Sequence, residues 1–287
     1  MNPERVAVIG AGTMGHGIAQ VCAMAGFEVR LCDADQGQLE RGLSRLRTNL
    51  DQGVERGKVS VEARRATLAR LHAVASPEEA VRGAGLVIEA VPERIELKTE
   101  LFSRLDQMAP SEAILATNTS SLSVSEIARA TGRPERVVGL HFFNPVHLMK
   151  LLEIVRGRET SDQTVQTSVT FARGIGKEPI VVTDTPGFAS SRLGVVLGLE
   201  AMRMVEEGVA SARDIDQAME LGYNHPVGPL RLTDLVGLDV RLGIAEYLHD
   251  QLGGEQYRPP ETLRRMVSEG KLGKKTGHGF YQWKEEA

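Results

Sequence analysis

The residues with the clearest chemical potential in this chain are His141 and Glu153, which lie on either side of a short turn. Histidine is the side chain that most readily exchanges a proton near neutral pH, so His141 is suited to take a proton from a hydroxyl group. A carboxylate beside it would fix the imidazole tautomer and stabilise the imidazolium ion. Asn144 and Ser120 supply polar groups for the oxygen that loses the proton. The pattern predicts a general base, His141, oriented by Glu153.

A second interpretation of His141 is structural, because a histidine between apolar residues is often a core side chain with satisfied polar atoms. His147 is the nearest competitor as a base, but it follows Pro145 without an obvious carboxylate partner. No histidine pair has metal-ligand spacing, so we predict no metal site. The remaining histidines have no comparable surroundings: His16, His72, His225, His249 and His278.

A glycine-rich segment follows the first predicted strand and opens a predicted helix, as in dinucleotide-binding proteins. Gly10 would permit the tight turn, Gly12 the approach of the pyrophosphate, and Gly15 the packing of helix on strand. Backbone N–H groups at the start of the helix would bind the phosphates. The segment reads Gly10-Ala11-Gly12-Thr13-Met14-Gly15.

An acidic residue, Asp33, ends the second predicted strand 18 residues after Gly15. A carboxylate there would bind the ribose hydroxyls and repel a 2′-phosphate, which favours NAD over NADP. The competing interpretation is an ordinary turn with surface acids. A base and a hydride carrier on one chain indicate oxidoreduction between an alcohol and a ketone.

Short apolar runs alternate with helical patterns through the first two thirds of the chain. This alternation predicts βαβ units and a Rossmann-type, doubly wound, mainly parallel α/β sheet. The link around Asn144 is too short for a crossover helix, so the strands beside it should pair antiparallel at the edge of the sheet and bring Glu153 alongside His141. The predicted strands are 6–9, 28–32, 86–90, 114–117, 137–142, 151–155 and 179–183, and the helical patterns between the early strands include 13–25, 36–50 and 95–108.

Helical patterns dominate after Pro186-Gly187, at residues 190–207, 212–221, 229–251 and 261–268. We therefore predict an NAD-binding domain at residues 1–185 and an all-α domain at residues 186–287, with substrate in the cleft between them.

The composition indicates a globular protein, with 41% hydrophobic and 25% charged residues. A formal net charge of -4 gives no reason to expect nucleic acid as a partner. Cys22 and Cys32 form no disulfide framework, and no apolar run approaches the roughly 20 residues of a membrane-spanning helix. With a strand pattern beginning close to Met1, we expect a cytoplasmic protein without membrane contact.

Five motifs together resemble the L-3-hydroxyacyl-CoA dehydrogenases, in particular the 3-hydroxybutyryl-CoA dehydrogenase branch. They are GAGTMGHGIAQ at 10–20, TNTSSL at 117–122, GLHFFNP at 139–145, DTPGF at 184–188 and KTGHGFY at 275–281. The resemblance spans essentially the whole chain. It implies that the helical domain at residues 186–287 binds substrate and carries a homodimer interface, which the apolar pattern over residues 193–205 makes plausible. It implies an NAD-dependent enzyme that interconverts (S)-3-hydroxyacyl-CoA and 3-oxoacyl-CoA, with short chains expected, in fatty acid or butanoate metabolism.

The resemblance also implies roles for individual residues. His141 would be the base and Glu153 its orienting partner, while Ser120 and Asn144 would contact the reacting oxygen or the nicotinamide region. Three further residues would contact NAD, although Glu93 and Lys98 also fit a solvated pair at a helix end. The three are Glu93, Lys98 and Lys275.

Substrate binding is where the chain departs from the family pattern. Relatives carry an asparagine that contacts substrate just before the arginine that follows Pro-Gly-Phe, and Ser191 stands in that place here. A serine still forms hydrogen bonds but reaches less far. Residues 40–72 hold eight basic against four acidic residues. In the family this region is a helical hairpin near CoA, and Lys58 is our candidate for a contact with a CoA phosphate. The alternative interpretation of these basic residues is a solvated helix face.

Two other functions remain compatible with the sequence. An enzyme of the gulonate type would oxidise a free sugar acid and ignore acyl-CoA. A crystallin-like relative would bind NADH without turnover, although an intact His141 and Glu153 pair argues against it. Chain-length preference and the direction of the reaction in the cell are not encoded in these motifs.

Overall fold

The computed structural model describes residues 4–283. The chain forms two compact units, Met1–Asp184 and Thr185–Ala287. Among the described residues, the first unit contains the sheet and seven α-helices, and the second unit is helical.

A single eight-stranded sheet runs through the first unit in the order β3-β2-β1-β4-β5-β6-β7-β8. Neighbouring strands are parallel except β6 and β7, which are antiparallel. The order of the first six strands is that of a Rossmann-type fold, so the predicted fold class is confirmed. The strands are β1 Arg5–Ile9, β2 Glu28–Cys32, β3 Leu71–Ala73, β4 Leu86–Glu89, β5 Ile114–Thr117, β6 Val137–Phe142, β7 Leu151–Arg156 and β8 Glu178–Thr183.

Helices cover the sheet, and this explains why its central strands are continuous apolar runs. All residues of β4, β5 and β6 are buried, as expected for parallel strands packed on both faces. The helices of this unit are α1 Gly15–Met24, α2 Gln36–Glu55, α3 Val61–Ala69, α4 Pro77–Val81, α5 Ile95–Met108, α6 Val124–Ala128 and α7 Asp162–Gly174.

The structure corrects the predicted position of the antiparallel pair. β6 and β7 do pair antiparallel, but they do not form the edge of the sheet, because β8 pairs in parallel with β7 and lies outside it. The sequence pattern also missed β3, α4 and α6. These elements have three to five residues each, too few for a periodic signal.

The second unit contains five α-helices among its described residues, packed around one apolar core. The prediction of one continuous helix over 229–251 was wrong. Gly237 separates two helices and adopts φ +106. Residues with a side chain rarely take this backbone conformation. The helices are α8 Ser190–Glu206, α9 Ala212–Tyr223, α10 Pro229–Val236, α11 Leu238–Leu252 and α12 Glu261–Ser268.

Candidate active site

The paired strands β6 and β7 place His141 directly opposite Glu153. Side chains of directly opposite residues lie on the same face of a sheet and are close neighbours. His141 Nδ1 lies 2.7 Å from Glu153 Oε2, and both side chains are buried. The predicted juxtaposition is therefore confirmed, and it follows from the short connection between the two strands.

This contact defines the tautomer of the imidazole ring. An ionised carboxylate accepts hydrogen bonds and has no hydrogen to donate. Nδ1 therefore carries the hydrogen of this contact, and Nε2 is the nitrogen that can accept a proton. The ring of Phe143 lies 4.5 Å from the imidazole ring, centroid to centroid, and restricts its rotation. A buried imidazole with a fixed tautomer is suited to accept a proton and to be stabilised as a cation by Glu153.

The glycine-rich turn has the geometry that a dinucleotide requires. Gly10 has φ +101, and a Cβ there would lie 2.6 Å from the Ala90 carbonyl oxygen. A Cβ on Gly15 would lie 1.7 Å from the Gly10 carbonyl oxygen, so no side chain fits. At Gly12 a Cβ would meet only a side-chain nitrogen of Gln38 at 3.9 Å, which leaves open space at the start of α1. In Rossmann-type folds a turn of this kind lets the backbone approach a pyrophosphate.

Asp33 follows β2 and lies against this turn. Its Oδ2 accepts a hydrogen bond from the Ala11 N–H at 2.7 Å, and its Oδ1 accepts one from the Asp35 N–H at 2.9 Å. These bonds fix the carboxylate at the carboxyl edge of the sheet, beside the glycine turn. A carboxylate has further acceptor capacity, so the arrangement remains compatible with ribose hydroxyl groups.

Glu93 and Lys98 belong to a network that reaches Ser120. Glu93 Oε1 accepts hydrogen bonds from the Thr119 hydroxyl at 2.6 Å and from the Ser120 N–H at 2.7 Å. Lys98 Nζ lies 3.4 Å from Glu93 Oε2. The structure thus brings three of the predicted site residues together, and it orients the loop that carries Ser120.

The residue beneath this network, Glu89, escaped the sequence interpretation. Its carboxylate accepts from Lys98 Nζ at 2.6 Å and from the Thr117 hydroxyl at 2.7 Å. Lys98 is fully buried, so the alternative of a solvated pair does not apply to it. Burial raises the pKa of Glu89, while Lys98 opposes that shift. An acid ending an apolar strand at the carboxyl edge of a parallel sheet was the available signal.

The loops around Ser120 and Asn144 are tied to their neighbours by polar contacts. Asn118 Oδ1 accepts from the Phe142 N–H at 3.0 Å, which joins the segment before Ser120 to β6. Asn144 is exposed and follows β6 by two residues. The loop beyond it is held by Lys177, whose Nζ donates to the carbonyl oxygen of Met149 at 2.6 Å. Ser120 and Asn144 therefore both follow strands at the same edge of the sheet.

His147, the competing base, has different surroundings. Burial lowers its pKa first, and the neighbouring His16 and Lys177 lower it further. Nearby cations make protonation less favourable, whereas His141 has a carboxylate at hydrogen-bond distance. The local charges thus do not suit His147 to the role of base.

The other predicted site residues lie in separate places. Lys58 is exposed in the turn between α2 and α3, a helical hairpin as the resemblance implied. Ser191 is half-buried in the first turn of α8. Lys275 Nζ forms an ion pair with both carboxylate oxygens of Asp239, at 2.5 and 2.7 Å.

Two kinds of feature are absent from residues 4–283. No group of three or more histidine, cysteine, aspartate or glutamate residues in this range is arranged to hold a metal ion. Within the same range, no helix combines the length and apolar character needed to cross a membrane.

The sheet order, the glycine turn after β1 and Asp33 after β2 define a dinucleotide-binding protein of the Rossmann type. Residues 5–185 match the 3-hydroxyacyl-CoA dehydrogenase NAD binding domain, and residues 187–283 match the C-terminal domain of the same enzymes. The chain belongs to the 3-hydroxyacyl-CoA dehydrogenase family, and its cofactor is NAD.

Individual relatives agree with this assignment. A probable 3-hydroxybutyryl-CoA dehydrogenase of Bacillus subtilis is 46% identical over 286 residues, which cover 100% of this chain and 99% of that protein. The crystal structure of FadB2 from M. tuberculosis is similar with a TM-score of 0.96 and 41% identity, covering 99% of this chain and 100% of that one. The (S)-3-hydroxybutyryl-CoA dehydrogenase of Ralstonia eutropha has a TM-score of 0.94 and 38% identity, with 99% and 100% covered.

Proposed function

We propose that this chain interconverts (S)-3-hydroxyacyl-CoA and 3-oxoacyl-CoA with short acyl chains, such as 3-hydroxybutyryl-CoA and acetoacetyl-CoA, in fatty acid or butanoate metabolism. The observation that carries the proposal is the buried contact of 2.7 Å between His141 Nδ1 and Glu153 Oε2. It provides a proton acceptor in the sheet that also carries the dinucleotide turn. Relatives named for this reaction support the substrate class.

In the oxidative direction, His141 Nε2 takes the proton of the C3 hydroxyl group as the C3–O bond becomes a carbonyl. Bound NAD supplies the acceptor for the hydride that leaves C3. The imidazolium ion that forms is stabilised by the Glu153 carboxylate, and a positioned general base typically contributes about 100- to 10,000-fold in rate. In the reverse direction the imidazolium ion returns its proton to the carbonyl oxygen.

Ser120 and Asn144 are assigned to the reacting oxygen and to the nicotinamide region. Support for Ser120 comes from the fixed position of its backbone, whose N–H donates to Glu93 Oε1 at 2.7 Å. Glu93 is assigned to NAD, and the buried Lys98 contributes to that contact by the ion pair that holds Glu93 in place.

The other predicted site residues are assigned to the remaining parts of NAD and of the acyl-CoA substrate. Gly10, Gly12, Gly15 and the N–H groups of Thr13 and Met14 hold the pyrophosphate, and Asp33 holds the ribose. Lys275 is assigned to NAD, Lys58 to a CoA phosphate and Ser191 to the acyl group. The exposure of Lys58 at the tip of a basic hairpin supports a role in attracting phosphate.

We further propose that residues 1–185 bind NAD, that residues 186–287 bind substrate, and that the helical part forms a homodimer. Within the range 193–205, Val195, Leu199 and Met202 belong to the core, so they do not form the interface. Leu193 is 72% exposed, and Val240 is 44% exposed. Exposed apolar side chains of this kind favour association with a second copy. Two buried free thiols are consistent with a cytoplasmic location.

The test is NADH consumption with acetoacetyl-CoA, run beside NADPH and beside free acetoacetate. Rapid turnover that requires NADH and the CoA ester supports the proposal. Oxidation of L-gulonate with NAD, without activity on the CoA ester, would instead identify a sugar-acid dehydrogenase. Tight NADH binding without turnover of any substrate would identify a non-catalytic protein.

A further inference from the structure

Three charged side chains meet where β4 ends, and two of them are fully buried. Glu89 is the last residue of β4, and Lys98 lies in the first turn of α5. Lys98 Nζ lies 2.6 Å from Glu89 Oε1 and 3.4 Å from Glu93 Oε2, so two carboxylates share one ammonium group. We call Glu89, Glu93 and Lys98 the β4 charge cluster.

Two carboxylates and one ammonium group give the β4 charge cluster a formal charge of -1. Both oxygens of Glu89 receive donors, from the Val91 N–H at 2.7 Å and from the Thr117 hydroxyl at 2.7 Å. Glu93 Oε1 accepts from the Ser120 N–H at 2.7 Å. Burial raises the pKa of Glu89, but the ammonium group and these hydrogen bonds oppose that shift and favour the ionised carboxylate.

The cluster lies on the half of the sheet that remains for the nicotinamide. A doubly wound sheet binds a dinucleotide outside the carboxyl ends of its strands, at the point where the strand order reverses. Here the order reverses between β1 and β4. Asp33, after β2, is assigned to the adenosine ribose. The nicotinamide half therefore falls to β4 and β5, whose carboxyl ends carry Glu89 and the loop of Ser120.

A net charge at this place acts differently on the two forms of the cofactor. The nicotinamide ring is cationic in NAD⁺ and neutral in NADH, so a negative cluster stabilises the oxidised form. Glu89 and Lys98 are out of water, and their charges are screened less than those of surface groups. The nearby Arg94 and Glu96 are exposed and carry opposite charges.

We propose that the β4 charge cluster raises the affinity for NAD⁺ relative to NADH, and that the buried Glu89 sets this preference. The inference rests on the proposed function, which assigns the nicotinamide region to Ser120 and its neighbours. Glu89 neutralises Lys98 and thereby leaves the charge of Glu93 uncompensated. Without the charge of Glu89, Lys98 would neutralise Glu93, and the preference for the cationic ring would be lost.

The test measures the dissociation constants of NAD⁺, NADH and ADP-ribose for the full-length protein by calorimetry, without any CoA ester. Glu89→Gln removes one charge at nearly constant volume and makes the cluster neutral. The ratio of the NAD⁺ constant to the NADH constant should rise about tenfold, the effect of one unit charge at roughly 12 Å with an effective dielectric of ~20. The constant for ADP-ribose, which lacks the nicotinamide, should change far less than that for NAD⁺.

Two further variants separate the charge from the contacts that Glu89 makes. Glu89→Gln combined with Lys98→Met removes the buried ion pair but restores the formal charge of -1, and it should return the ratio close to the wild-type value; replacing both partners of a buried pair is often tolerated. Glu93→Gln makes the cluster neutral at a residue whose side chain is 39% exposed. It should raise the ratio as Glu89→Gln does, and it decides the question if Glu89→Gln does not fold.

Asp106→Asn is the matched control, because it removes an acid from another ion pair of α5, with Arg133 at 2.6 Å, near the opposite end of the helix. Its ratio should equal that of the wild type. A change below about twofold in the neutral variants, or equal weakening of NAD⁺ and NADH, overturns the inference. A shift that persists in the double variant also overturns it, because the contacts and not the charge would then be responsible. None of these outcomes affects the proposed function, which fails only if the wild-type protein binds NADH and reduces no CoA ester.

Discussion

Replacing Glu153 by glutamine is the sharpest test of the proposed base pair. The change removes one negative charge at nearly constant volume, and Glu153 Oε2 lies 2.7 Å from His141 Nδ1. Glutamine can still accept a hydrogen bond from Nδ1, so the imidazole tautomer is retained. What is lost is the attraction between the carboxylate and the imidazolium ion that forms as the alcohol is oxidised.

The size of that loss follows from distance and burial. Hydrogen bonds to charged groups contribute about 1.5–3 kcal/mol. Two unit charges ~4 Å apart in a protein environment of effective dielectric ~20 attract by about 4 kcal/mol, which is an upper value. A barrier increase of about 1.5–4 kcal/mol corresponds to a kcat lowered roughly 10- to 1000-fold.

The assay is the initial rate of NAD reduction at saturating (S)-3-hydroxybutyryl-CoA, the direction in which the imidazolium ion forms, with NADH affinity measured separately by fluorescence. Glu178→Gln is the control, since it makes the same chemical change at an exposed residue on the neighbouring strand β8. NADH affinity should be unchanged in both variants. A loss of kcat below about threefold in Glu153→Gln, with a normal melting temperature, would refute a role for this charge in stabilising the imidazolium ion.

Other substitutions test the remaining parts of the site. His141→Ala should lower kcat by at least about 100-fold with NADH affinity nearly intact, and near-normal turnover would exclude it as the base. Asp33→Asn should weaken NAD relative to NADP in kcat/KM ratios; an unchanged ratio would contradict the assigned ribose contact. Glu89→Gln should lower the free energy of unfolding in urea by about 3–5 kcal/mol, because it strands a buried ammonium group, and a loss below about 1 kcal/mol would contradict this. Burial lowers the pKa values of His16 and His147, so the unfolded state binds protons more readily than the folded state. The melting temperature should therefore fall as the pH drops below about 6.5. The fall should be smaller in a variant with glutamine at both positions.

The sequence was sufficient for the elements that carry long, regular signals. The strand before the glycine turn and the paired strands of His141 and Glu153 have clear apolar runs, and a short link leaves antiparallel pairing as the only option. The spatial order of strands is not contained in such runs. The apolar pattern of β8 does not indicate that this strand pairs with β7 at the edge of the sheet. Its position in the sheet depends on the path that the chain takes through α7.

Buried charges were the main failure of sequence interpretation. Lys98 lies on a helix with a polar pattern and was compatible with a solvated surface, yet it is fully buried. The partner that permits this, Glu89, lies at the end of a different element, so only the three-dimensional fold brings the two together. The same limitation applies to Arg241, since a helical pattern cannot show whether an arginine faces water or a glycine-lined face of a neighbouring helix.

Arg241 differs from the other buried basic side chains of residues 4–283. Each of the other buried basic side chains meets an acceptor within hydrogen-bond distance: Lys98 with Glu89, Arg133 with Asp106, His141 with Glu153, and Lys177 with backbone carbonyl oxygens. Within residues 4–283 the fold therefore supplies partners for cations it encloses, and the unsatisfied Nε of Arg241 departs from that rule.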